Sequence, residues 1–335
     1  MWGTSNFIAN PYLINPTHTM DNLSVYETLK LRGTLEGHRG WITSLAVSSA
    51  NPDILVSGSR DKTVVVWRLT LENEDIGFAQ RSFHGHNHIV EDVAISQDGE
   101  YILSASWDKS LRLWSLQEDS STRFTGHTGD VLSCAISADN RLIASASRDG
   151  TVKIWTVVGQ EIVSLEGHSD WVVSAQFTPD AQPVLISASH DKLVKSWDVI
   201  SGEVAADFIG HKNYINSAVL SPDGTICASG GKEGTIFIWS VENSSFSYTL
   251  PDTDEVFGLA FAPTRYWIAA ATAAGIKIYD LRTRALREVL ILDDFEGKEP
   301  TPISLTWSAD GQILFAGYTD HVIRAWQVMT TQRSA

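Results

Sequence analysis

The sequence predicts an all-β chain of seven four-stranded antiparallel units. Two regularities carry that expectation. The dipeptide Gly-His recurs at 37–38, 85–86, 126–127, 167–168 and 210–211, in steps of 48, 41, 41 and 43 residues. Each His is followed 28 or 29 residues later by a tryptophan closing a strand-like run: Trp67, Trp114, Trp155, Trp197 and Trp239. A near-constant period of this length marks repeated supersecondary units that form a core only by stacking on one another.

Within a unit, the text between His and Trp reads as two short alternating strands, a tight turn and the tryptophan strand. Unit one runs "WITSLAVS", "ILVSGS", a turn holding Asp61, then "TVVVW". Units two to five end in "SLRLW", "TVKIW", "LVKSW" and "TIFIW", with Asp108, Asp149, Asp191 and Glu233 in their turns. Unit six, "GIKIY", ends at Tyr279, lacks an upstream Gly-His and has Ala274 where the turn acid should be. Unit seven, "VIRAW", ends at Trp326 and keeps Asp320. An aspartate suits such a turn because it hydrogen-bonds its own backbone and tolerates the dihedrals.

Composition narrows the function. The chain has 335 residues, 43% of them hydrophobic, which is enough for a large core, and no apolar stretch approaches the eighteen or so residues of a membrane span. The start "MWGTSNFIANPYLINP" has neither the basic nor the apolar segment of a secretory signal. Cys134 and Cys227 are the only cysteines and lie in apolar runs, as small buried hydrophobes do, so a reducing, cytoplasmic setting without membrane insertion is expected. With 25 basic against 40 acidic residues the net charge is −15, so any contact with nucleic acid requires a local basic patch.

Catalytic and metal signatures are weak. "HGHNHIV" puts His84, His86 and His88 at alternate positions, but His86 is one of the recurrent histidines. "GGKEGT" at 230–235 lacks phosphate-loop spacing and falls on a repeat turn, and no G-x-S-x-G or kinase signature is present. No cofactor, no metal and no enzymatic activity are expected.

The period, the Gly-His and the turn acid together resemble the WD-repeat family of β-propellers, although only one tryptophan strand ends in a literal Trp-Asp pair, Trp197-Asp198. The resemblance implies a seven-bladed WD-repeat β-propeller in which His, turn Asp, a second-strand Ser or Thr and the Trp indole form a buried tetrad. Its members here are His38, Asp61 and Trp67, with Ser57 or Ser59; then His86, Asp108 and Trp114; His127, Asp149 and Trp155; His168, Asp191 and Trp197. Blade six, without His or Asp, should be held by packing alone. The resemblance also makes "TLKLRGTLE", residues 28–36, the outer strand of the last blade, so that the N-terminal strand closes the ring. This divides the chain into a flexible extension at 1–26, the propeller at 27–330 and a tail at 331–335.

Longer stretches, "LRGTLEGHRGWITSLA", "SASWDKSLRLW", "DFIGHKNYINS", "DEVFGLAFAPTRYWIAAATAAGIKIYDL" and "LFAGYTDHVIRAWQV", are similar to the family of eukaryotic receptors for activated C kinase, G-protein-β-like scaffolds. The similarity covers about residues 27–330 and departs in the N-terminal extension and in the acidic linker "ILDDFEGKEPTP". It implies a non-enzymatic scaffold on the head of the small ribosomal subunit near the mRNA exit. The implied partners are rRNA and ribosomal proteins, protein kinases including protein kinase C, translation factors and, off the ribosome, a second copy in a homodimer. The family's Arg-Asp-Lys contact motif falls on Arg60 and Lys62, with Arg81 and Arg123 as further basic positions; His84 stands where the family has a base. Repeat geometry adds a partner face of Trp41, Trp107, Arg148, Trp171, His190, Tyr214 and Lys232. Tyr266 is a further partner residue by resemblance, although its apolar neighbours predict burial. The alternative is a WD-repeat scaffold away from the ribosome, such as a G-protein β subunit or a ubiquitin-ligase adaptor. Prolines in residues 1–30 speak against the heptad helix of the former, and the chain has no room for the extra domain of the latter.

Overall fold

The computed structural model describes residues 24–70, 76–180, 184–251, 254–292 and 299–333. These form 28 strands in seven four-stranded antiparallel sheets. In blade one the inner strand is Ile42–Val47, followed outward by Ile54–Ser59, Val64–Leu69 and Gly77–Phe83. The five following blades repeat this order with consecutive strands. In the seventh, the outermost strand is the N-terminal Ser24–Glu36, paired along its length with the last strand, Val322–Arg333. Each inner strand packs against the next, and the inner strand of blade seven, Pro302–Trp307, packs against that of blade one. The ring is therefore closed, and the propeller expected from the repeat is the observed fold.

The closing strand starts four residues earlier than the expected 28–36, and its partner runs three residues past 330. Both ends of the expected propeller therefore extend into the segments assigned to the extension and the tail. The cause is mutual pairing, with Ser24 opposite Arg333. Residues 1–23 lie outside the described residues.

There is no single central core. The buried apolar residues fall into seven clusters, one at each interface between neighbouring blades. That explains a departure from simple alternation. The second strand of blade one, "ILVSGS", is buried at five consecutive positions, because both faces of its sheet are covered by neighbouring sheets. All seven inner strands carry a β-bulge at their second residue, which bends each strand where it lines the axis.

The tetrads are present in blades one to five. In blade one, Trp67 Nε1–H donates to Ser57 Oγ at 2.8 Å, and Ser57 Oγ lies 2.7 Å from His38 Nε2. His38 Nδ1 lies 2.8 Å from Asp61 Oδ2. A carboxylate only accepts, so Nδ1 carries the proton, Nε2 is left as the acceptor, and the serine hydroxyl donates to it. Ser57 is the tetrad member and Ser59 is not: Ser59 Oγ donates to Gly40 O at 2.9 Å and accepts from Asp61 N at 3.1 Å. The equivalents Ser104, Ser145 and Ser187 take the same place in blades two to four, each 2.7–2.8 Å from its indole nitrogen. Blade five substitutes Glu233, hydrogen-bonded to His211, with Ser229 between His211 and Trp239.

Blades six and seven solve the turn differently. Packing alone does not hold blade six: Lys277 Nζ pairs with Asp254 Oδ2 at 2.7 Å, and Thr272 Oγ1 donates to Gly275 O at 2.9 Å. Lys277, directly across the sheet from Ala270 at the lost serine position, reaches a carboxylate that the sequence pattern did not single out. In blade seven Ala316 occupies the serine position, and Asp320 is gripped by both guanidinium nitrogens of Arg324, at 3.0 and 2.6 Å.

The closing strand is also latched sideways onto blade six. Arg265 contacts Glu27 through Nε at 3.2 Å and Nη2 at 2.9 Å, and gives Nη1–H to Gly311 O at 2.6 Å. Arg287 Nη2 donates to Glu27 O at 2.6 Å. Replacing Arg265 by Met should cost about 1–2 kcal/mol in urea unfolding and speed proteolysis within Ser24–Glu36; an unchanged midpoint and cleavage rate would show that the latch contributes nothing.

Burial opposes ionisation of Asp61, Asp108, Asp149 and Asp191, yet hydrogen bonds from the tetrad histidines and the turn residues hold the first three well below the usual carboxylate range and lower Asp191 as well. Their folded pKa values lie under the unfolded value of about 3.9, so their stabilisation is complete above that pH and is lost as pH falls below it. Unfolding free energy should therefore drop steeply below about pH 4, and Asp149→Asn should flatten that drop while costing about 1–3 kcal/mol at pH 7. Parallel acid profiles for the two proteins would contradict the assignment.

Candidate functional site

The blade-one turn, Ser59-Arg60-Asp61-Lys62-Thr63, divides its charges by direction. Asp61 faces inward: besides His38, it accepts from Arg39 N at 2.8 Å, Thr63 N at 3.0 Å and Thr63 Oγ1 at 2.6 Å. Arg60 N donates to Trp41 O at 3.0 Å, which sets the turn against the segment following His38. The exposed Arg60 guanidinium then lies 3.7 Å over the Trp41 ring. Lys62, also exposed, has φ of 74°, in the left-handed region. The turns of blades three and five place Gly150 and Gly234 there, at 83° and 74°. A lysine bears a cost of about 1 kcal/mol in that conformation which a glycine does not. Neither Arg60 nor Lys62 has a salt-bridge partner among the described residues.

Beside this turn lies a groove of about 550 Å³ lined by Arg39, Asp61, Thr63, Arg81, Ser82 and His84. Arg39 was not anticipated; a cation directly after the Gly-His dipeptide is the signal that marks it. Arg81 is only partly available, since it reaches to the next blade, donating to Leu116 O at 3.2 Å and pairing with Asp119 at 2.9 Å. Arg123 stands apart, exposed on the outer strand Ser121–Thr125 of blade two, with Nε 3.2 Å from Ser110 Oγ. The structure therefore groups Arg39, Arg60, Lys62 and Arg81 at one corner and leaves Arg123 one blade away.

The partner-face residues form an arc on the end that carries the acid turns. His88, another unanticipated member, stacks on Trp107 at 5.6 Å. Arg148 lies 5.6 Å from Trp107 and 3.6 Å from Trp171, and pairs with Asp130 at 2.6 Å. Trp171 stacks on His190 at 5.1 Å, and His190 on Tyr214 at 4.9 Å. Burial lowers the His190 pKa, Asp170 opposing and Arg148 assisting, so the imidazole is a neutral plane at pH 7. Lys232 follows, paired with Glu255 at 2.6 Å, which raises its pKa. Trp41 and Trp171 remain 37% and 38% exposed, enough surface for a partner to cover.

Tyr266 is not part of this arc. It sits at the opposite end of blade six, before the strand Trp267–Thr272, and is 60% exposed rather than buried. The apolar run that suggested burial is broken by the turn at 263–266, which turns the ring outward under Arg282.

Two acids next to the arc also escaped the pattern. Asp92 ties three blades together, accepting from Ser44 Oγ at 2.7 Å and from Ser133 Oγ and Cys134 N, both at 2.9 Å. Its neighbour Glu91 lies near Arg60; burial pushes its pKa up to about 7 against the pull of that cation, with Asp92 and Asp130 adding to the rise. Glu91 is the bulge residue of its inner strand, where the seven blades share no residue type, and Asp92 follows it at a position that is serine in five other blades.

The order Ser57, His38, Asp61 matches a hydrolytic triad in connectivity. Ser57 is fully buried, however, and its oxygen already accepts the indole N–H, so no substrate carbonyl can approach it. The histidines of "HGHNHIV" are likewise dispersed: His86 bonds Asp108 and Ser104, His84 contacts Ser82, and His88 stacks on Trp107. Cys134 and Cys227 are both buried; burial pushes Cys227 up to about 12 and Cys134 well above its ordinary value.

The chain matches the family model of the WD domain, G-beta repeat, over residues 29–68, 77–115, 118–156, 159–198, 202–240 and 291–327. The unmatched interval contains blade six, where the tetrad is lost. Among curated proteins it is similar to "Small ribosomal subunit protein RACK1" of Candida albicans, 56% identical over 310 residues, covering 91% of this chain and 98% of that protein. The protein of the same name from Neurospora crassa is 51% identical over 313 residues, 91% of this chain and 99% of that one. "MST50-interacting protein 11" of Pyricularia oryzae is 52% identical over 312 residues, again 91% and 99%. By repeat pattern, fold and extended identity, the chain belongs to the WD-repeat family and, within it, to the RACK1 family.

Proposed function

We propose that the protein is a scaffold of the small ribosomal subunit, attached through the basic corner of blade one, with the aromatic arc left to dock other proteins. The observation that carries this reading is identity above 50% over nearly the whole length of proteins named for the small ribosomal subunit. The corner supplies the chemistry. Arg60, over the Trp41 ring, can present a guanidinium fork to a phosphate, and Lys62 a point charge, on a body whose remaining field repels RNA. Contacts of this kind read the shape of folded rRNA, not its bases. Placement on the head near the mRNA exit, with rRNA and ribosomal proteins as neighbours, follows from the family.

Docking of protein kinases, protein kinase C among them, and of translation factors belongs to the same reading, and the relative named for its interaction with MST50 supports docking of another protein in general. The protein acts by binding, without catalysis, in the cytoplasm; among the described residues no helix is long and apolar enough to cross a membrane. Homodimerisation concerns the free pool only.

Arg60→Asp combined with Lys62→Glu should leave the fold intact and release the protein from small subunits in a sucrose gradient. Continued co-sedimentation of the folded variant would place the contact elsewhere. Lys62→Gly separates stability from binding: it relieves the left-handed backbone and should hold or raise the melting temperature. It should also lower the slope of log affinity against log salt by about one unit. A slope equal to wild type would remove Lys62 from the contact.

A further inference from the structure

Several guanidiniums of this acidic chain are paired with a carboxylate. Arg68 pairs with Asp53, Arg81 with Asp119, Arg148 with Asp130, Arg265 with Glu27 and Arg324 with Asp320. Among those with no such pair among the described residues are three of blade six, Arg282, Arg284 and Arg287, the last of which donates to the backbone carbonyl of Glu27. Arg282 and Arg284 lie, exposed, in the turn between the strands Gly275–Asp280 and Ala285–Leu290. Arg282 Cζ is 4.1 Å over the ring of Tyr266, and Arg284 Cζ is 4.3 Å over that of Tyr248, on the outer strand Ser245–Pro251 of blade five.

The turn is fixed between these tyrosines. Leu281 N donates to Tyr266 O at 2.8 Å, and the Tyr248 hydroxyl donates to Leu281 O at 3.4 Å. The nearest acid in the turn, Asp280, is occupied by backbone: its Oδ1 accepts from Arg282 N at 2.8 Å and Thr283 N at 3.0 Å. Arg284 has φ of 57°, at the turn position where blade four uses Gly202 at 75°. A bulky cation thus sits where glycine is the easy residue, stacked and without an anion.

We propose that Arg282 and Arg284 form a docking site for an acidic peptide segment of a partner protein, at the end of the propeller opposite the acid turns. Each guanidinium, seated over a tyrosine ring, has no carboxylate partner among the described residues, and a guanidinium edge can donate two parallel hydrogen bonds to a carboxylate. Exposed Phe246 and Leu286, each two residues along the chain from Tyr248 and Arg284, offer apolar contact to the intervening side chains of such a segment. RNA fits less well, because recognition of single strands needs open aromatic faces and both tyrosine rings are already covered by guanidinium. The site is independent of the blade-one corner.

The test is fluorescence anisotropy of a labelled synthetic peptide of repeated Glu-Asp-Leu with the full chain at low salt. Wild type should bind saturably, and Arg282→Gln with Arg284→Gln should weaken binding by about tenfold or more, with circular dichroism unchanged. The pair Arg282→Lys with Arg284→Lys, which keeps the charge but not the fork, should also bind more weakly than wild type, and it replaces the Gln pair should that one misfold. The Arg60→Asp, Lys62→Glu protein should bind like wild type. Absence of saturable binding, equal affinity of folded arginine variants and wild type, or tighter binding of a phosphoserine peptide or an oligouridylate of equal charge would each overturn the proposal.

Discussion

The propeller depends on one buried hydroxyl per blade that gives and accepts at once. In blades one to five a serine oxygen takes the indole N–H, and its own proton goes to the histidine, whose other nitrogen faces the turn carboxylate. Four polar groups are thereby removed from water with their hydrogen bonds made, and the second strand, third strand, turn and preceding loop are locked in one arrangement. Loss of the serine leaves the tryptophan and histidine without a bridge. Blade six and blade seven, with alanine at that position, lack the serine-histidine bridge and hold their turns with an ion pair, which in blade seven engages the retained acid Asp320.

That network also decides what is left for binding. Because each turn acid is consumed inward, the residues beside it form a surface that is basic or aromatic in an otherwise acidic molecule. The same turn therefore serves both fold and surface, with no conflict between them. Around the ring most of these cations find internal acids: Arg148 has Asp130, and Lys232 has Glu255. On blade one no carboxylate among the described residues forms a salt bridge with Arg60 or Lys62, and Glu91, near Arg60, is held back from ionising by burial.

Much of this was legible in the sequence because a repeat exposes its own grammar. The period located every tetrad histidine, acid and tryptophan of blades one to four, and the closing strand followed from its place before the first Gly-His. What alternation could not do was choose Ser57 over Ser59. Both point to the same face, and only the distance from the turn separates them. Arg81 read as an open cation because its tether, the carbonyl of Leu116 and the carboxylate of Asp119, belongs to the adjoining blade. Tyr266 read as buried because a hydrophobic run does not show where its backbone turns. Glu91 sits on a bulge, where a single extra residue breaks the two-residue period on which such reading relies, and Asp92 replaces the serine that most blades carry just after it.

Closure of the ring by Ser24–Glu36 against Val322–Arg333 has a consequence for synthesis. The first strand to leave the ribosome is the last to find its partner, since Glu36 pairs with Val322. At about 5–20 residues per second, that strand waits on the order of 15–60 s with its hydrogen-bonding edge unpaired. A completed ring presents no such seam, whereas a nascent one carries a strand open to any neighbouring polypeptide. For a protein of this architecture, the interval between translation of its two ends is the time of greatest exposure to mispairing, and binding elsewhere before closure would be made by an unfinished ring.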